Sequence, residues 1–293
     1  MEETIDQEIQ RLENEMNDVS FWSDKDKAQA TIRRIKDLKD KKDGVSSLDK
    51  GSAIMSILAG AGGDDSEDFV YMLLEMYGAY CNAKGFSYTF LQESKNDHGG
   101  YRNLTIEITG KNAYGLLKYE SGVHRLVRIS PFNAQAKRQT SFALVEVLPI
   151  IPQAEQKIIP PDEIRIETSK AGGPGGQNVN KRETAVRVIH IPTNIAVAVS
   201  TEREQGKNKD KALEILHAKL FKLEEENKKK EMEGMQISKT VEIEWGSQIR
   251  SYVLHPYKMI KDHRTDYETS NVEAVLTKGE IDGFIEAVKA LSS

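Results

Sequence analysis

IRIETSKAGGPGGQNVNKRETAVRVIH, residues 164 to 190, reads as two strands joined by a glycine-rich loop. The alternation of apolar and polar residues in IRIETSK and in TAVRVIHIP predicts strands, and NIAVAVS after the turn PTN predicts a third. Glycines flank Pro174 on both sides, and Gln177 is the one long side chain at the tip of the loop. Adjacent glycines lack a Cβ and reach dihedrals that other residues avoid, so this tip can bring backbone N–H groups close to another molecule.

Two other interpretations of the loop have to be weighed. Phosphate binding is one, but neither G-x-x-x-x-G-K-[ST] nor G-x-G-x-x-G before a long helix fits the stretch, and Lys181 comes too late for a P-loop lysine. An ordinary surface loop is the other. Pro174 stiffens the chain just before Gly175 and Gly176, which favours a functional tip that acts by positioning rather than by titration.

The flanking sequence predicts an α+β fold. KNKDKALEILHAKLFKLEEENKKK has a helical period, and SEDFVYMLLEMYGAYCNAKG predicts a second helix that Gly85 closes. FSYTFLQES, LTIEITG, GVHRLVRIS and SFALVEVLPI alternate like strands. The predicted apolar stripe of the first helix is Leu213, Leu216, Leu220 and Leu223, and that of the second is Phe69, Met72, Leu73, Met76, Tyr77 and Tyr80.

The chain is predicted to form three domains. Its 293 residues are roughly two or three domains' worth on the usual size prior. Residues 1–48 have a helical period broken by SFWSDKDKAQ and form a short helical hairpin. Residues 49–155 together with 245–293 form an α+β domain with a mixed or antiparallel sheet, and residues 156–244 form a smaller α+β domain that carries the glycine-rich loop.

Composition narrows the class of protein. The net charge of −5 argues against a nucleic-acid partner, but NKRETAVR and KNKDKALEILHAKLFK are locally basic, and local fields matter more than the sum. Cys81 is the only cysteine, which excludes an internal disulfide and a cysteine-based zinc site. It lies in an apolar helical pattern, so we expect a buried structural thiol.

Further features bear on cofactors and location. The six histidines do not fall at metal-ligand spacing, so neither a metal nor another cofactor is expected. No apolar run approaches the ~20 residues that a membrane-spanning helix needs. The start, MEETIDQEIQ, lacks the layout of a signal peptide. We therefore expect a cytoplasmic protein without a membrane partner.

The residues also carry a resemblance to a family. GGQ within GGPGGQNVNKRETAVRVIHIPT resembles the signature of the class I peptide chain release factors, and the resemblance continues through REQGKNKDKALEILHAKL and WGSQIRSYVLHPYKMIKDHRT. ESGVHRLVRISPFNAQAKRQTSF resembles the stop-codon-reading domain, with SPF where the type 2, UGA- and UAA-reading factors of bacteria have it. The resemblance covers about residues 55 to 291. FWSDKDKAQ is similar to the N-terminal region, which is longer in the family.

The resemblance implies a chemistry for the glycine tip. Gly175, Gly176 and Gln177 would trigger hydrolysis of the peptidyl-tRNA ester in the peptidyl transferase centre, so the protein would be a ribosome-dependent trigger and not a stand-alone enzyme. The backbone N–H of Gln177 would stabilise the developing charge, and the two glycines would allow its geometry. The family also implies N5-methylation of Gln177.

The resemblance further implies how a stop codon is read. Ser130 can donate a hydrogen bond to a purine or accept one from it, which fits tolerance of A or G at the second position. Pro131 and Phe132 would fix and pack the loop, and Thr140 is a candidate for the third base. Gln139 is a departure, because the family usually has a stacking histidine there.

Several basic residues near these two sites are candidates for RNA contacts. They either solvate the surface or contact ribosomal and tRNA phosphates, and we favour the second. The candidates are Arg125, Arg128, Arg138, Lys181, Arg182, Lys207, Lys209 and Lys211.

The implied partners are the 70S ribosome with its rRNA, the mRNA stop codon and the P-site peptidyl-tRNA. A glutamine methyltransferase and the recycling GTPase release factor 3 are further partners that the family implies, and a monomer is expected. Two alternatives stay open. One is a codon-independent rescue hydrolase for stalled ribosomes, although such proteins lack a decoding domain and end in a basic tail. The other is a catalytically silent ribosome-binding protein.

Overall fold

The computed structural model describes most of the chain. The described residues are 5–16, 28–29, 31–32, 34–35, 38, 46–152, 159–170, 184–232 and 247–291. The helices are α1 (Ile5–Glu15), α2 (Asp64–Lys84), α3 (Ala113–Leu117), α4 (Gln205–Met232), α5 (Val272–Lys278) and α6 (Asp282–Leu291). The strands are β1 (Ala53–Ala59), β2 (Ser87–Lys95), β3 (Tyr101–Thr109), β4 (Gly122–Ile129), β5 (Arg138–Pro149), β6 (Ile164–Ser169), β7 (Ala185–His190), β8 (Ile195–Val199), β9 (Gln248–Val253), β10 (Met259–Asp262) and β11 (Glu268–Thr269).

The N-terminal segment is helical wherever it is described. The described residues between positions 28 and 38 are helical, as is α1. Ile9 from α1 is buried together with Ile35 and Leu38 in a small apolar cluster. The two helical stretches therefore pack against each other, as the predicted hairpin requires.

A mixed sheet of eight strands forms the largest part of the molecule, in the order β11-β10-β9-β4-β5-β1-β3-β2. Neighbouring strands are antiparallel except β4 and β9, which run parallel. β9 follows β4 by more than 100 residues in the chain, so the C-terminal part returns to the sheet that the first half begins. A C-terminal return is also what the sequence predicts, and its bounds at residues 245–293 stay a prediction.

Helix α2 covers the core of this sheet. The buried residues of its predicted inner face recur every three or four positions, as an amphipathic helix requires. Five members of that face are at most 1% exposed and Met72 is partly buried: the five are Phe69, Leu73, Met76, Tyr77 and Tyr80. The helix ends at Gly85, whose φ of 72° is in the left-handed region that glycine adopts readily.

Cys81 lies on the same helix and is fully buried as a free thiol. Burial raises the pKa of this thiol to about 11. The thiolate is therefore scarce at neutral pH, which agrees with the expected structural role.

A buried ion cluster joins β9 to the turn that precedes β4. Both Nη atoms of Arg250 donate to the two carboxylate oxygens of Glu120, at 2.6 and 2.7 Å. Arg250 also donates to Asp262, and none of these three side chains is exposed. Burial alone would raise the pKa of Glu120, but the charge and hydrogen bonds of Arg250 hold it below its usual value. The cluster fixes the parallel pairing of β4 with β9.

The smaller sheet is antiparallel, in the order β6-β7-β8, and α4 packs on it. Val186, Val188 and Val199 meet Ala212 and Leu216 in one apolar cluster. Within the predicted leucine stripe, Leu216 and Leu223 are buried, and Leu213 and Leu220 are partly buried. The hairpin of β7 and β8 turns where the sequence reads PTN.

The smaller sheet and α4 dock against the large sheet. Ile54, Leu91 and Leu148 of the large sheet belong to the same apolar cluster as the valines of the smaller one. Lys219 of α4 contacts Glu146 of β5 at 2.5 Å. The docking thus combines an apolar centre with ion pairs.

Separate units are evident in the sheets, and the α+β multidomain class that the sequence predicts is confirmed. The large sheet draws on residues 53–149 and 248–269, and the smaller one on residues 164–199. The division of the chain at 48, 155 and 245 stays a prediction.

Candidate functional site

The predicted reading residues lie on a tight loop between two neighbouring strands. β4 ends at Ile129, and β5 begins at Arg138, directly opposite it. The N–H of Ser130 donates to the carbonyl of Lys137 at 3.2 Å, which closes the stem of the loop. Within the loop, Asn133 accepts a hydrogen bond from the N–H of Gln135 at 2.8 Å. The paired strands therefore hold both ends of a short loop, and hydrogen bonds fix part of its conformation.

Ser130 is buried at the start of this loop, and its hydroxyl makes two hydrogen bonds within the protein. It is only 4% exposed, and its Oγ lies 2.5 Å from Oδ2 of Asp65, at the start of α2. The same Oγ accepts from the N–H of Phe132 at 3.1 Å. Both contacts are made by one hydroxyl, which has one proton to donate and two lone pairs.

The rest of the tripeptide is open to solvent. Pro131 is exposed, and Phe132 is 41% exposed with its ring centroid 6.0 Å from that of His98. An exposed phenyl ring next to a polar loop is a surface on which a base can stack.

Gln139 and Thr140 lie on β5 at the base of the loop, and both are exposed. Gln139 is opposite Arg128 in β4, and Thr140 is opposite Val127. Successive residues of a strand point to opposite faces, so these two side chains leave the sheet on different sides.

Arg128, predicted as an RNA contact, is ion-paired inside the protein. Its Nε and Nη2 donate to Oδ1 of Asp65 at 3.3 and 3.0 Å, and its Nη1 lies 2.6 Å from Asp68. Only 13% of its side chain is exposed. Sequence reasoning missed Asp65 and Asp68, because acidic residues are common in the first turn of any helix and nothing in DDSED marks one of them.

The remaining basic candidates are differently placed. Arg138, Lys207 and Lys209 are exposed, and Arg125 is half-buried on β4. Lys211 contacts Glu107 of β3 at 2.6 Å and Glu214 at 2.9 Å. Partial burial would lower the pKa of Lys211, but these two carboxylates raise it overall. Lys181 and Arg182 lie outside the described residues.

Gly175, Gly176 and Gln177 also lie outside the described residues, but the strands on both sides of them are described. β6 and β7 are antiparallel neighbours, with Ser169 opposite Ala185. The glycine-rich segment therefore joins two adjacent strands of the smaller sheet, as the sequence predicts.

Asn208, which sequence reasoning missed, anchors the end of that segment. This residue of α4 is fully buried, and its Nδ2 donates to the carbonyl of Thr184 at 2.7 Å and to that of Glu202 at 2.9 Å. Its Oδ1 accepts from the N–H of Glu202 at 2.9 Å. One buried amide thus ties the start of β7 to the first turn of α4, and no pattern in KNKDK distinguishes it from an exposed asparagine.

The described residues bear on two further classes of site, metal centres and membrane spans. Within those ranges, no group of three or more His, Cys, Asp and Glu side chains is arranged to hold a metal ion. In the same part of the chain, no helix is long and apolar enough to cross a membrane.

Comparison with known proteins assigns the family. Residues 44–145 match the PCRF domain and residues 153–264 match the RF-1 domain. The chain is 41% identical to peptide chain release factor 2 of Thermotoga petrophila over an alignment of 334 positions, which covers 98% of this chain and 90% of that protein. The protein belongs to the peptide chain release factor family.

The more particular likeness is to release factor 2. The chain is 50% identical over 239 residues to peptide chain release factor 2 of Thermotoga maritima, covering 82% of this chain and 64% of that protein. The solved structure of RF2 of Thermus thermophilus superposes with a TM-score of 0.75 at 38% identity, over 98% of this chain and 81% of that one.

These matches confirm the function class. The chain is a factor of stop-codon-dependent translation termination, and such factors act on the ribosome. Neither the rescue hydrolase nor the silent ribosome-binding protein gains support from the comparisons. The alignment of 334 residues with the Thermotoga petrophila protein is longer than the 293 residues of this chain, so the relative has residues without a counterpart here. A shortened family member agrees with the sequence prediction.

Proposed function

We propose that the protein reads UAA and UGA in the ribosomal A site and responds by triggering hydrolysis of the peptidyl-tRNA ester. The observation that carries this proposal is the placement of two unlike loops on two different sheets. Ser130 begins a short exposed loop between β4 and β5 of the large sheet, and the glycine-rich segment joins β6 to β7 of the smaller sheet. One loop has the polar groups that reading requires, and the other has two adjacent glycines, Gly175 and Gly176, that lack a Cβ.

The proposed reading surface consists of five residues. Ser130 faces the second base, and Pro131 and Phe132 fix and pack the loop. Thr140 faces the third base, and Gln139 takes the place of the histidine that stacks on a codon base in the family. Single-stranded RNA bases are read along their edges and by stacking. The two hydroxyls and the amide of this set can bond to base edges, and the phenyl ring can stack on a base. The exposure of Phe132, Gln139 and Thr140 supports this assignment.

The proposed hydrolytic tip is Gly175, Gly176 and Gln177. Ester hydrolysis needs a placed water and a donor for the negative charge that develops on oxygen. A backbone N–H at Gln177 supplies the donor, and the two glycines before it leave room for the approach of the ester. One donor of this type is typically worth ~3–4 kcal/mol in other enzymes.

We further propose that basic residues around the two sites contact RNA phosphates. These are Arg125, Arg138, Lys181, Arg182, Lys207 and Lys209. Contacts of this kind orient a protein on RNA without reading sequence. Arg128 and Lys211 are left out of this set, because both already neutralise carboxylates within the protein.

The wider setting follows from the proposed reaction. The protein acts in the cytoplasm as a monomer, and its Gln177 is the substrate of a glutamine methyltransferase. The recycling GTPase release factor 3 is a proposed partner. The division into residues 1–48, 49–155 with 245–293, and 156–244 is the proposed domain organisation.

Peptide release from UAA-programmed ribosomes by Gly176→Ala tests the hydrolytic tip. We expect the release rate at saturating factor to fall at least ~100-fold. The reason is that a Cβ at this position keeps the backbone donor of Gln177 from approaching the ester. Binding to the same ribosomes should stay within about twofold of the parent, since the reading loop is unchanged. Rate and binding are measured on one preparation by peptide release and by filter binding.

Gln177→Ala is the matched control. It keeps the backbone N–H, so its loss of rate should be smaller than that of Gly176→Ala. A parent that releases no peptide at UAA would contradict the proposed function. A Gly176→Ala variant that releases peptide at the parent rate would contradict the proposed tip alone.

A further inference from the structure

We propose that Asp65, held by Arg128, is a positioning residue that sets the direction of the Ser130 hydroxyl and so favours adenine over guanine at the second codon position. The inference rests on the proposed function, in which Ser130 faces that base. It concerns a residue at the start of α2, far in sequence from the reading loop.

The direction of the hydroxyl follows from the chemistry of its partner. Oγ of Ser130 and Oδ2 of Asp65 are 2.5 Å apart, and the two residues are 4% and 6% exposed. An ionised carboxylate only accepts hydrogen bonds, so the serine must be the donor. The single hydroxyl proton of Ser130 is therefore directed at Asp65.

The oxygen of Ser130 uses one of its two lone pairs to accept a hydrogen bond within the protein. The N–H of Phe132 donates to Oγ of Ser130 at 3.1 Å. A hydroxyl oxygen has two lone pairs, so one of them is left for another donor. In this arrangement Ser130 can accept one more hydrogen bond and can donate none.

Arg128 holds the carboxylate in place. Its Nε and Nη2 both donate to Oδ1 of Asp65, and its Nη1 is tied to Asp68 at 2.6 Å. Charge-assisted hydrogen bonds of this kind are stronger than neutral ones. Because Arg128 occupies Oδ1, the other oxygen of Asp65 is the one that faces Ser130.

The two purines make opposite demands on this hydroxyl. Adenine presents the N6 amine, a donor, where guanine presents O6, an acceptor. Ser130 can accept from adenine while its proton stays on Asp65. To donate to guanine, the hydroxyl must first break its hydrogen bond to Asp65. Only the reading of UGA therefore carries this cost.

Peptide release by Asp65→Asn, measured at UAA and at UGA, tests the inference. The neutral amide is a weaker acceptor, and its Nδ2 can itself donate to the serine, which frees the hydroxyl proton for O6. We expect the ratio of the kcat/KM value for UGA to that for UAA to rise about fivefold, the size of one net hydrogen bond. Asp64→Asn is the matched control, because Asp64 is exposed in the same helical turn, and it should leave the ratio unchanged.

Ser130→Ala gives a second, independent measurement. If the parent hydroxyl mainly accepts, its removal should lower release at UAA more than release at UGA. In the Ser130→Ala background, Asp65→Asn should no longer change the ratio, since a residue that acts through another has no effect once that residue is gone.

Three results would overturn the inference while the proposed function stands. These are an unchanged ratio in Asp65→Asn, a Ser130→Ala variant that loses as much at UGA as at UAA, and a shift by Asp65→Asn that persists without the serine. If the parent itself fails to release at both codons, the proposed function fails, and the inference falls with it.

Discussion

His124 is a buried imidazole at the centre of the large sheet. It is fully buried on β4, between the hydroxyl of Tyr252 at 3.1 Å and the carbonyl of Glu120 at 3.0 Å. The carbonyl can only accept, so Nε2 carries the proton and Nδ1 accepts from the tyrosine. Burial, reinforced by the nearby positive charge of Arg250, lowers the pKa of His124 to about 4. The residue is therefore neutral in the folded protein.

This pKa predicts how stability depends on pH. In the unfolded chain a histidine titrates near pH 6.5. Below that pH the unfolded state binds a proton that the folded state does not bind until the pH approaches 4. The stabilisation is complete above about pH 6.5 and is lost as the pH falls towards 4. Between pH 7 and pH 5 we expect His124 to cost about 2 kcal/mol of unfolding free energy, measured by urea denaturation.

His124→Gln is the variant that isolates the effect. It removes the titrating group and should flatten the pH dependence by the same amount, whatever its stability at pH 7. His217, whose pKa burial also lowers, is present in both proteins and cancels. Equal pH dependence in parent and variant would mean that His124 binds its proton equally well in the folded and unfolded states.

Sequence reasoning succeeded at single residues where the residue type itself carries the chemistry. Cys81 is buried, as predicted, and Ser130 lies at the start of the loop between β4 and β5, whose codon-reading role stays a prediction. Asp65 and Asn208 were missed because their importance comes from partners far away in the chain, Ser130 and Thr184. A long-range hydrogen bond leaves no periodic signal in the sequence.

Helices and strands with a strong apolar period or clear turn residues could be predicted from the sequence. α2, the hairpin of β7 and β8, and the long helix α4 were all predicted from their apolar spacing or turn residues. The helix α5 and the short strands β10 and β11 were not predicted. They span only two to seven residues, too few for a period to emerge.

The docking of α4 on β5 gives a prediction at this scale. Burial alone would raise the pKa of Glu146, but the charge of Lys219 holds it below its usual value. Lys219→Glu places a like charge against this carboxylate, which costs several kcal/mol. We expect the docked elements to separate, so that the radius of gyration measured by small-angle X-ray scattering exceeds that of the parent.

Lys209→Glu makes the same charge change on an exposed position of α4 and should leave the radius of gyration unchanged. If Lys219→Glu scatters like the parent, the apolar cluster around Ile54 and Leu148 is sufficient to hold the docked arrangement.

At the scale of the whole molecule, the sequence predicted an α+β chain with a C-terminal return, and both are present. It did not predict that the smaller sheet docks on the large one. Docking depends on surface complementarity between Leu91, Leu148 and the valines of the smaller sheet, and apolar residues look the same in sequence whether they fill one unit or join two. The parallel neighbour of β4 was unpredictable for a similar reason, since β9 is more than 100 residues away.

The proposed function divides between two loops of one molecule, since one loop reads a triplet and the other triggers hydrolysis. Its most direct test is the rate of peptide release from ribosomes that carry peptidyl-tRNA in the P site and UAA, UGA, UAG, a sense codon or no codon in the A site. We expect release at UAA and UGA, with background rates at UAG, at the sense codon and in the empty site. Equal release in the empty A site, or none at any codon, would contradict it.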